Sequence, residues 1–121
     1  QTCALPISNN NTYTGATTIS AGTLSVTGSL SDSTAVSVAS GATYNVGASD
    51  TIAALTGAGN VTLNSYTLTL GNASGTYSGV MSGTGGLTVS GGTATLTGVN
   101  TYSGATSIGS GSTLALSTVT E

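Results

Sequence analysis

Asp32 and Asp50 are the first residues to consider as chemistry. They are separated by 18 positions, and Glu121 is the one other acidic side chain. In a repeat of similar period the two aspartates fall in adjacent turns. A carboxylate pair of that kind could serve as the acid and base of a glycosidase, or could hold Ca²⁺. The plainer expectation is two solvated corner residues, because Asp favours turns. Calcium sites also gather more oxygen ligands, and the Gly-Gly-x-Gly-x-Asp pattern of calcium-binding β-rolls is absent. Serines are plentiful, yet no His or Lys exists to activate one as a nucleophile. No catalytic, metal-binding or cofactor-binding residue is therefore assigned, and no cofactor is expected.

Tyr13, Tyr77 and Tyr102 recur in Thr-Tyr-Thr/Ser-Gly and could form a strip for stacking sugars. The favoured expectation is instead a tyrosine laid along a corner, ring on the core edge and hydroxyl in water. Asn11 and Asn100 read as corner residues that hydrogen-bond local backbone. Asn10, Asn60 and Asn72 begin Asn-x-Ser/Thr triplets, which a chain this rich in Ser and Thr contains by chance. Thr67-Leu68-Thr69 and Thr93-Ala94-Thr95 resemble the Thr-x-Thr faces of ice-binding solenoids. Such a face needs the pair repeated in register. Aligned one coil away, several positions read as Asn or Ser, so a broken ladder is expected.

Composition narrows the choice further. The 121 residues suit one domain. Charged residues make up 2%, with no Lys, Arg or His, against about 25% in ordinary soluble proteins. Without basic side chains the chain cannot displace counterions from nucleic-acid phosphate, nor dock on an anionic membrane. The longest apolar run, Ile52-Ala53-Ala54-Leu55, is far short of the ~20 residues that span a bilayer. No signal peptide is visible, so a secreted origin requires that the native N-terminus lie upstream.

Residues 1–8, Gln-Thr-Cys-Ala-Leu-Pro-Ile-Ser, differ from everything after them. They hold the one Cys and the one Pro and none of the Gly-Thr rhythm. They resemble a sequencing adapter, CAG ACG TGT GCT CTT CCG ATC T, translated in one frame. The expected organisation is thus a non-native segment 1–8 followed by a repeat domain 9–121.

The elements that must position these residues are strands. Asn11-Thr12-Tyr13-Thr14-Gly15-Ala16-Thr17-Thr18-Ile19 returns at an offset of 89 as Asn100-Thr101-Tyr102-Ser103-Gly104-Ala105-Thr106-Ser107-Ile108. Between the copies, apolar residues alternate in short period-2 bursts. Ile19, Val38, Ala54, Leu70, Val89 and Ile108 align as one series, and Leu24, Tyr44, Val61, Val80, Leu96 and Leu114 as a second. Their spacings run from 16 to 20 residues. No helical period is sustained, and Asn-Gly and Asp-Gly hairpin signals are absent. Strands and tight corners at this period predict a parallel β-helix of about six coils, stacked at ~4.8 Å. Ile19, Val38, Leu70, Val89 and Ile108 are expected to form one inward column.

Gly83-Thr84-Gly85-Gly86-Leu87-Thr88-Val89-Ser90-Gly91, followed by Thr95-Leu96-Thr97-Gly98-Val99-Asn100-Thr101-Tyr102-Ser103-Gly104, resembles the autotransporter-associated β-strand repeat. That family belongs to the passenger domains of bacterial type V secreted proteins. Residues 83–116 carry the resemblance best, 11–26 less fully. The family commonly has Lys where Val89 stands, and its Gly-Thr-Leu step is Gly92-Thr93-Ala94 here. The resemblance implies a right-handed single-stranded β-helix at the cell surface, flanked by further coils and anchored by a C-terminal translocator barrel in the outer membrane. It implies scaffold and not catalysis. The expected function is a structural or adhesive stalk with no enzymatic activity. A carbohydrate- or ice-binding solenoid surface is the alternative, with host or environmental glycans as its partners, and a polysaccharide-cleaving β-helix enzyme stands behind both.

Overall fold

The computed structural model describes residues 4–7, 9–12 and 14–116. Among them are fifteen strands and no helix. In chain order the first eight are β1 (Ala4–Ile7), β2 (Thr17–Ile19), β3 (Thr23–Val26), β4 (Ala35–Val38), β5 (Thr43–Val46), β6 (Asp50–Ile52), β7 (Ala54–Gly57) and β8 (Asn60–Thr62). The rest are β9 (Thr67–Leu70), β10 (Thr76–Tyr77), β11 (Met81–Ser82), β12 (Gly86–Val89), β13 (Thr93–Leu96), β14 (Thr106–Ile108) and β15 (Thr113–Leu116). Every pairing is parallel.

The strands stack into three sheets. The first runs β1-β3-β5-β8-β11, the second β15-β13-β10-β7-β4-β2, and the third β14-β12-β9-β6. The chain visits first, third and second sheet in turn, which makes a β-solenoid of about five turns, one fewer than expected. Along the second sheet Ile19, Val38, Gly57, Tyr77, Leu96 and Leu116 follow one another at intervals of 19 or 20 residues. At ~4.8 Å per turn the rod is roughly 24 Å long.

Alternation decides which way each strand faces. In β3, β5 and β9 the second and fourth residues are buried and the third is half-exposed. Leu, Val and Ile go inward, and Thr, Ser and Asn go outward. The core so formed includes Val36, Val38, Tyr44, Ile52, Val61, Leu63, Leu68, Leu70, Tyr77, Met81, Leu87 and Val89. Fully burying such a side chain contributes roughly 1.5–3 kcal/mol. No single turn could enclose this core, because each turn seals only the faces of its neighbours.

The pairing register corrects the two series inferred from sequence. Ile19 and Val38 do stack, but in the second sheet. Leu70, Val89 and Ile108 stack in the third, beneath Ile52. The expected single column is therefore two columns on different walls. Ala54 pairs with Ala35, and Gly57 takes the place beside Val38. Leu24, Tyr44 and Val61 do form a column in the first sheet, but Met81 continues it, not Val80. Leu96 pairs with Leu116, and Leu114 with Ala94. A third wall explains these shifts: apolar spacing alone cannot tell which of two neighbouring walls an inward residue belongs to.

The corners are built of glycine where the chain comes closest to itself. A Cβ on Gly79 would overlap the Gly59 carbonyl oxygen of the turn below, and one on Gly98 would overlap that of Gly79. The three glycines form a stacked corner column that no larger residue fits.

Strand β1 lies inside the segment set apart on sequence grounds. Ala4–Ile7 pairs along β3, and the Ile7 carbonyl accepts the Thr27 N–H at 2.8 Å. An exposed parallel edge pairs with any β-prone tetrapeptide laid against it.

Candidate functional site

Asp50 opens β6, the first strand of the third sheet. The preceding turn has no strand there. Its carboxylate supplies what is missing: one oxygen accepts the Leu30 N–H at 2.8 Å, the other the Thr51 N–H at 2.9 Å. The group is half-buried, and desolvation raises its pKa above 3.8, helped slightly by the nearby Asp32 charge and opposed by the two N–H donors. Asp32 is exposed. The residue one turn before Asp50 is thus Leu30, and the two carboxylates do not stack as the spacing had suggested. Among the described residues no three His, Cys, Asp or Glu side chains gather where they could hold a metal ion.

Other Asx side chains bridge turns in the same way. The Asn100 side-chain oxygen accepts the Met81 N–H at 2.8 Å, where the first sheet stops. Asn11 donates to the Ser29 carbonyl at 3.3 Å. Asn64, the one described non-glycine residue with positive φ (56°), donates to Asn45 at 2.8 Å and to the Val46 carbonyl at 3.0 Å. Asn45 in turn donates to Ser25 at 3.3 Å. The local role expected for Asn11 and Asn100 is present too, Asn11 donating to the Asn9 carbonyl at 3.2 Å and Asn100 to the Gly98 carbonyl at 3.5 Å, and the contact between turns is added to it. The Asn45–Asn64 rung was missed; both being asparagines one turn apart was the available signal.

Among the described residues, Tyr77 and Tyr102 do not make a sugar-stacking strip. Tyr77 is wholly buried, and its hydroxyl donates to the Gly59 carbonyl at 2.8 Å, with the Val80 carbonyl at 3.1 Å. Burial pushes that hydroxyl well above the usual phenol range. The expected wet hydroxyl is therefore dry. Gly57, which has no side chain, is its partner in the column and leaves room for the ring. Tyr102 is half-buried, and its hydroxyl lies 2.6 Å from that of Thr106. Tyr13 lies outside the described residues. Tyr44, absent from the expected strip, is also buried.

The threonines are more ordered than expected. Thr69 stands between Thr51 and Thr88, and Ser107 follows Thr88. Thr95 stands between Thr76 and Ala115, and Thr93 beside Thr113. The neighbours of Thr69 and Thr95 one turn away include no asparagine. The paired Thr-x-Thr ladder is nonetheless broken, as expected: Thr67 faces Gly86, Ser107 follows Thr88, and Ala115 follows Thr95.

Against this geometry the comparisons are specific. The family described as passenger-associated-transport-repeat matches residues 4–26 and 90–116, the two stretches that contain the Asn-Thr-Tyr repeat or its flanks. A curated relative, the adhesin BmaC autotransporter of Brucella suis biovar 1 (strain 1330), is 39% identical over 123 residues. The alignment covers 91% of this chain and 4% of the relative, so the chain spans a small fraction of that protein's length. No solved structure matches the chain. With parallel turns stacked on three walls, the chain is a β-solenoid that carries passenger-associated-transport repeats at residues 4–26 and 90–116 and is similar over most of its length to a short stretch of an autotransporter adhesin.

Proposed function

We propose that this stretch is a length of adhesive stalk, displayed at the bacterial surface and without catalytic activity of its own. The observation that carries the reading is the continuous column of stacked turns, joined to a 39% identity with an autotransporter adhesin. A solenoid of this kind transmits reach: each turn adds ~4.8 Å and buries the face of the one before. The non-enzymatic reading is supported by a sequence without His, Lys or Arg, and by an Asp50 carboxylate already occupied by two backbone N–H groups. The partners are flanking solenoid turns and, in the parent protein, a C-terminal translocator barrel in the outer membrane. Glycans of a host or of the environment are the class an adhesin of this type would meet, through surfaces elsewhere in the parent.

The test is in-frame excision within the parent passenger. Removal of one whole turn, residues 58–77, rejoins the columns in register and should leave surface display and attachment at parental levels. Removal of half a turn, residues 58–67, turns every following side chain to the wrong wall and should stop display. Whole-turn excision that preserves display but abolishes attachment would place the adhesive site in this stretch and reject the stalk reading.

The separate origin of residues 1–8 is a proposal of its own. It rests on their composition and on the adapter-like reading. Resequencing of the locus that recovers the same eight codons within a continuous gene would overturn it.

A further inference from the structure

The two copies of the repeat are nearly one sequence. Asn11–Ile19 and Asn100–Ile108 differ only at Thr14/Ser103 and Thr18/Ser107. Their closing triplets are both strands, β2 and β14, at identical positions in the motif. Yet β2 lies in the second sheet and β14 in the third. The strands that follow are displaced in the same sense: β3 lies in the first sheet and β15 in the second. Turn length explains the displacement. From Ile19 to Leu116 the second sheet counts five turns, and Ile108 falls eight residues, one wall, short of Leu116. The 89-residue offset is thus five turns less one wall.

Local structure is kept while the wall changes. Asn11 and Asn100 each donate to the carbonyl two residues back, Asn9 and Gly98. A positive-φ glycine follows each triplet, Gly22 at 75° and Gly111 at 80°, a bend that glycine makes without a Cβ clash. The second corner differs by one added residue, Ser112 before β15. The contacts between turns, by contrast, are exchanged: Asn11 reaches forward to Ser29, whereas Asn100 reaches back to Met81. We infer that the repeat is independent of the wall that carries it, so that the surface it bears moves by one wall around the stalk from one copy to the next. Buried and outward residues alternate alike in β3, β4 and β9, one strand from each wall. A path fixed by its own Asx bond and glycine bend therefore fits any of the three. Thr18 and Ser107, equivalent in the motif, accordingly face outward on different sides of the rod. The consequence for function rests on the stalk reading: a partner that recognises the repeat meets its copies on different sides of the stalk, not in a row along one face.

Cysteine pairs in a Cys3→Ser background locate each copy on its wall. A disulfide needs Cα atoms about 4.4–6.8 Å apart, which neighbouring strands of one sheet satisfy and separate walls do not. Thr88→Cys with Ser107→Cys should lose both thiols on mild oxidation, since these residues pair in the third sheet. Thr95→Cys with Ser107→Cys should keep them, although Ser107 would stand beside Thr95 if the second copy lay on the wall of the first. Thr18→Cys with Ser37→Cys is the matching pair of the first copy and should close. Independence from the wall is tested in the parent passenger by excising residues 20–108. This joins equivalent positions of the two copies, Ile19 to Gly109, and moves everything beyond them by one wall. Surface display should stay at the parental level, whereas excision of residues 58–67, which joins no equivalent positions, stops it. A Thr88/Ser107 pair that stays open, closure of the Thr95/Ser107 pair, or loss of display on removing residues 20–108 overturns the inference. Attachment is measured in neither arm, so the stalk reading and this inference can each fail alone.

Discussion

A carboxylate that accepts backbone N–H groups from two turns acts as a piece of strand in side-chain form. Asp50 does this at the point where the third sheet begins, and it carries a linkage signature. Burial raises its folded pKa above 3.8, with Asp32 as the one other charged group nearby. A raised folded pKa means that the native state holds the proton more tightly than the unfolded chain. Stability from this group is therefore fully present below about pH 3.8 and is lost as pH rises through the folded pKa. Thermal melts across this acidic range should show a small decline toward neutrality. Asp50→Asn should flatten it, while losing one of the two N–H contacts. A decline that survives in Asp50→Asn would assign the effect elsewhere. A second residue-scale expectation concerns the glycine corner. Gly79→Ala puts a methyl against the Gly59 carbonyl and 2.9 Å from the Tyr77 hydroxyl. Backbone cannot yield there as a side-chain tip would, so the cost should reach about 3 kcal/mol. Gly15, in the first copy of the same repeat motif, has nothing within 4 Å. Gly15→Ala should stay within about 0.5 kcal/mol in denaturant titration.

At the scale of the strand, position within the stack outweighs residue type. Val38 is fully buried, between β2 and β7. Ile108 is 51% exposed, on β14, the edge strand of the third sheet. Val38→Asp buries an unpaired charge and should leave the chain unfolded at room temperature by circular dichroism. Ile108→Asp should fold, at a cost of about 1 kcal/mol; its failure to fold would mean that the last turn is packed more closely than its exposure indicates. The contrast also measures what the sequence made legible. Alternation in Thr23–Val26 or Thr67–Leu70 identified strands and their buried faces, because a period of two is a property of each strand alone. The 89-residue recurrence marked the repeat for the same local reason. Register was legible only in stretches, such as Leu24-Tyr44-Val61 and Leu70-Val89-Ile108, since it depends on how many residues each corner consumes. Corner lengths differ enough to move Ala54 out of the Val38 column and to hide a whole third wall. Tyr77 was misjudged because the cavity that accepts its ring is made by Gly57, a residue that carries no hydrophobic signal.

The whole molecule has surface chemistry of one kind: hydroxyl, amide and methyl, with almost no charge. A protein with no Lys or Arg offers no cleavage point to trypsin-like proteases, folded or not. Aromatic-directed proteases are kept from Tyr44 and Tyr77, which are inside, but can reach Tyr66, which is 39% exposed. Resistance to trypsin thus follows from composition, whereas protection of Tyr44 and Tyr77 from chymotrypsin follows from packing. The two separate on heating: near the melting transition chymotrypsin should cut at the released tyrosines, while trypsin should leave the chain intact throughout. The same composition fixes the response to salt. Ion pairs are impossible without cationic side chains, and the formal charge of −3 comes from three scattered carboxylates. Sodium chloride therefore has almost nothing to screen beyond the weak repulsion of Asp32 on Asp50. The melting temperature should move by less than about 2 °C between low and moderate ionic strength, because no surface ion pair, worth about 0–1 kcal/mol each, is there to lose. Sulfate acts by a different route. It is excluded from the surface and strengthens apolar burial, so it should raise the melting temperature clearly where chloride does not. A melting temperature that falls as sodium chloride is added would require an attractive charge interaction that this sequence has no side chains to make, and would show that the fold is not held by its stacked apolar columns alone.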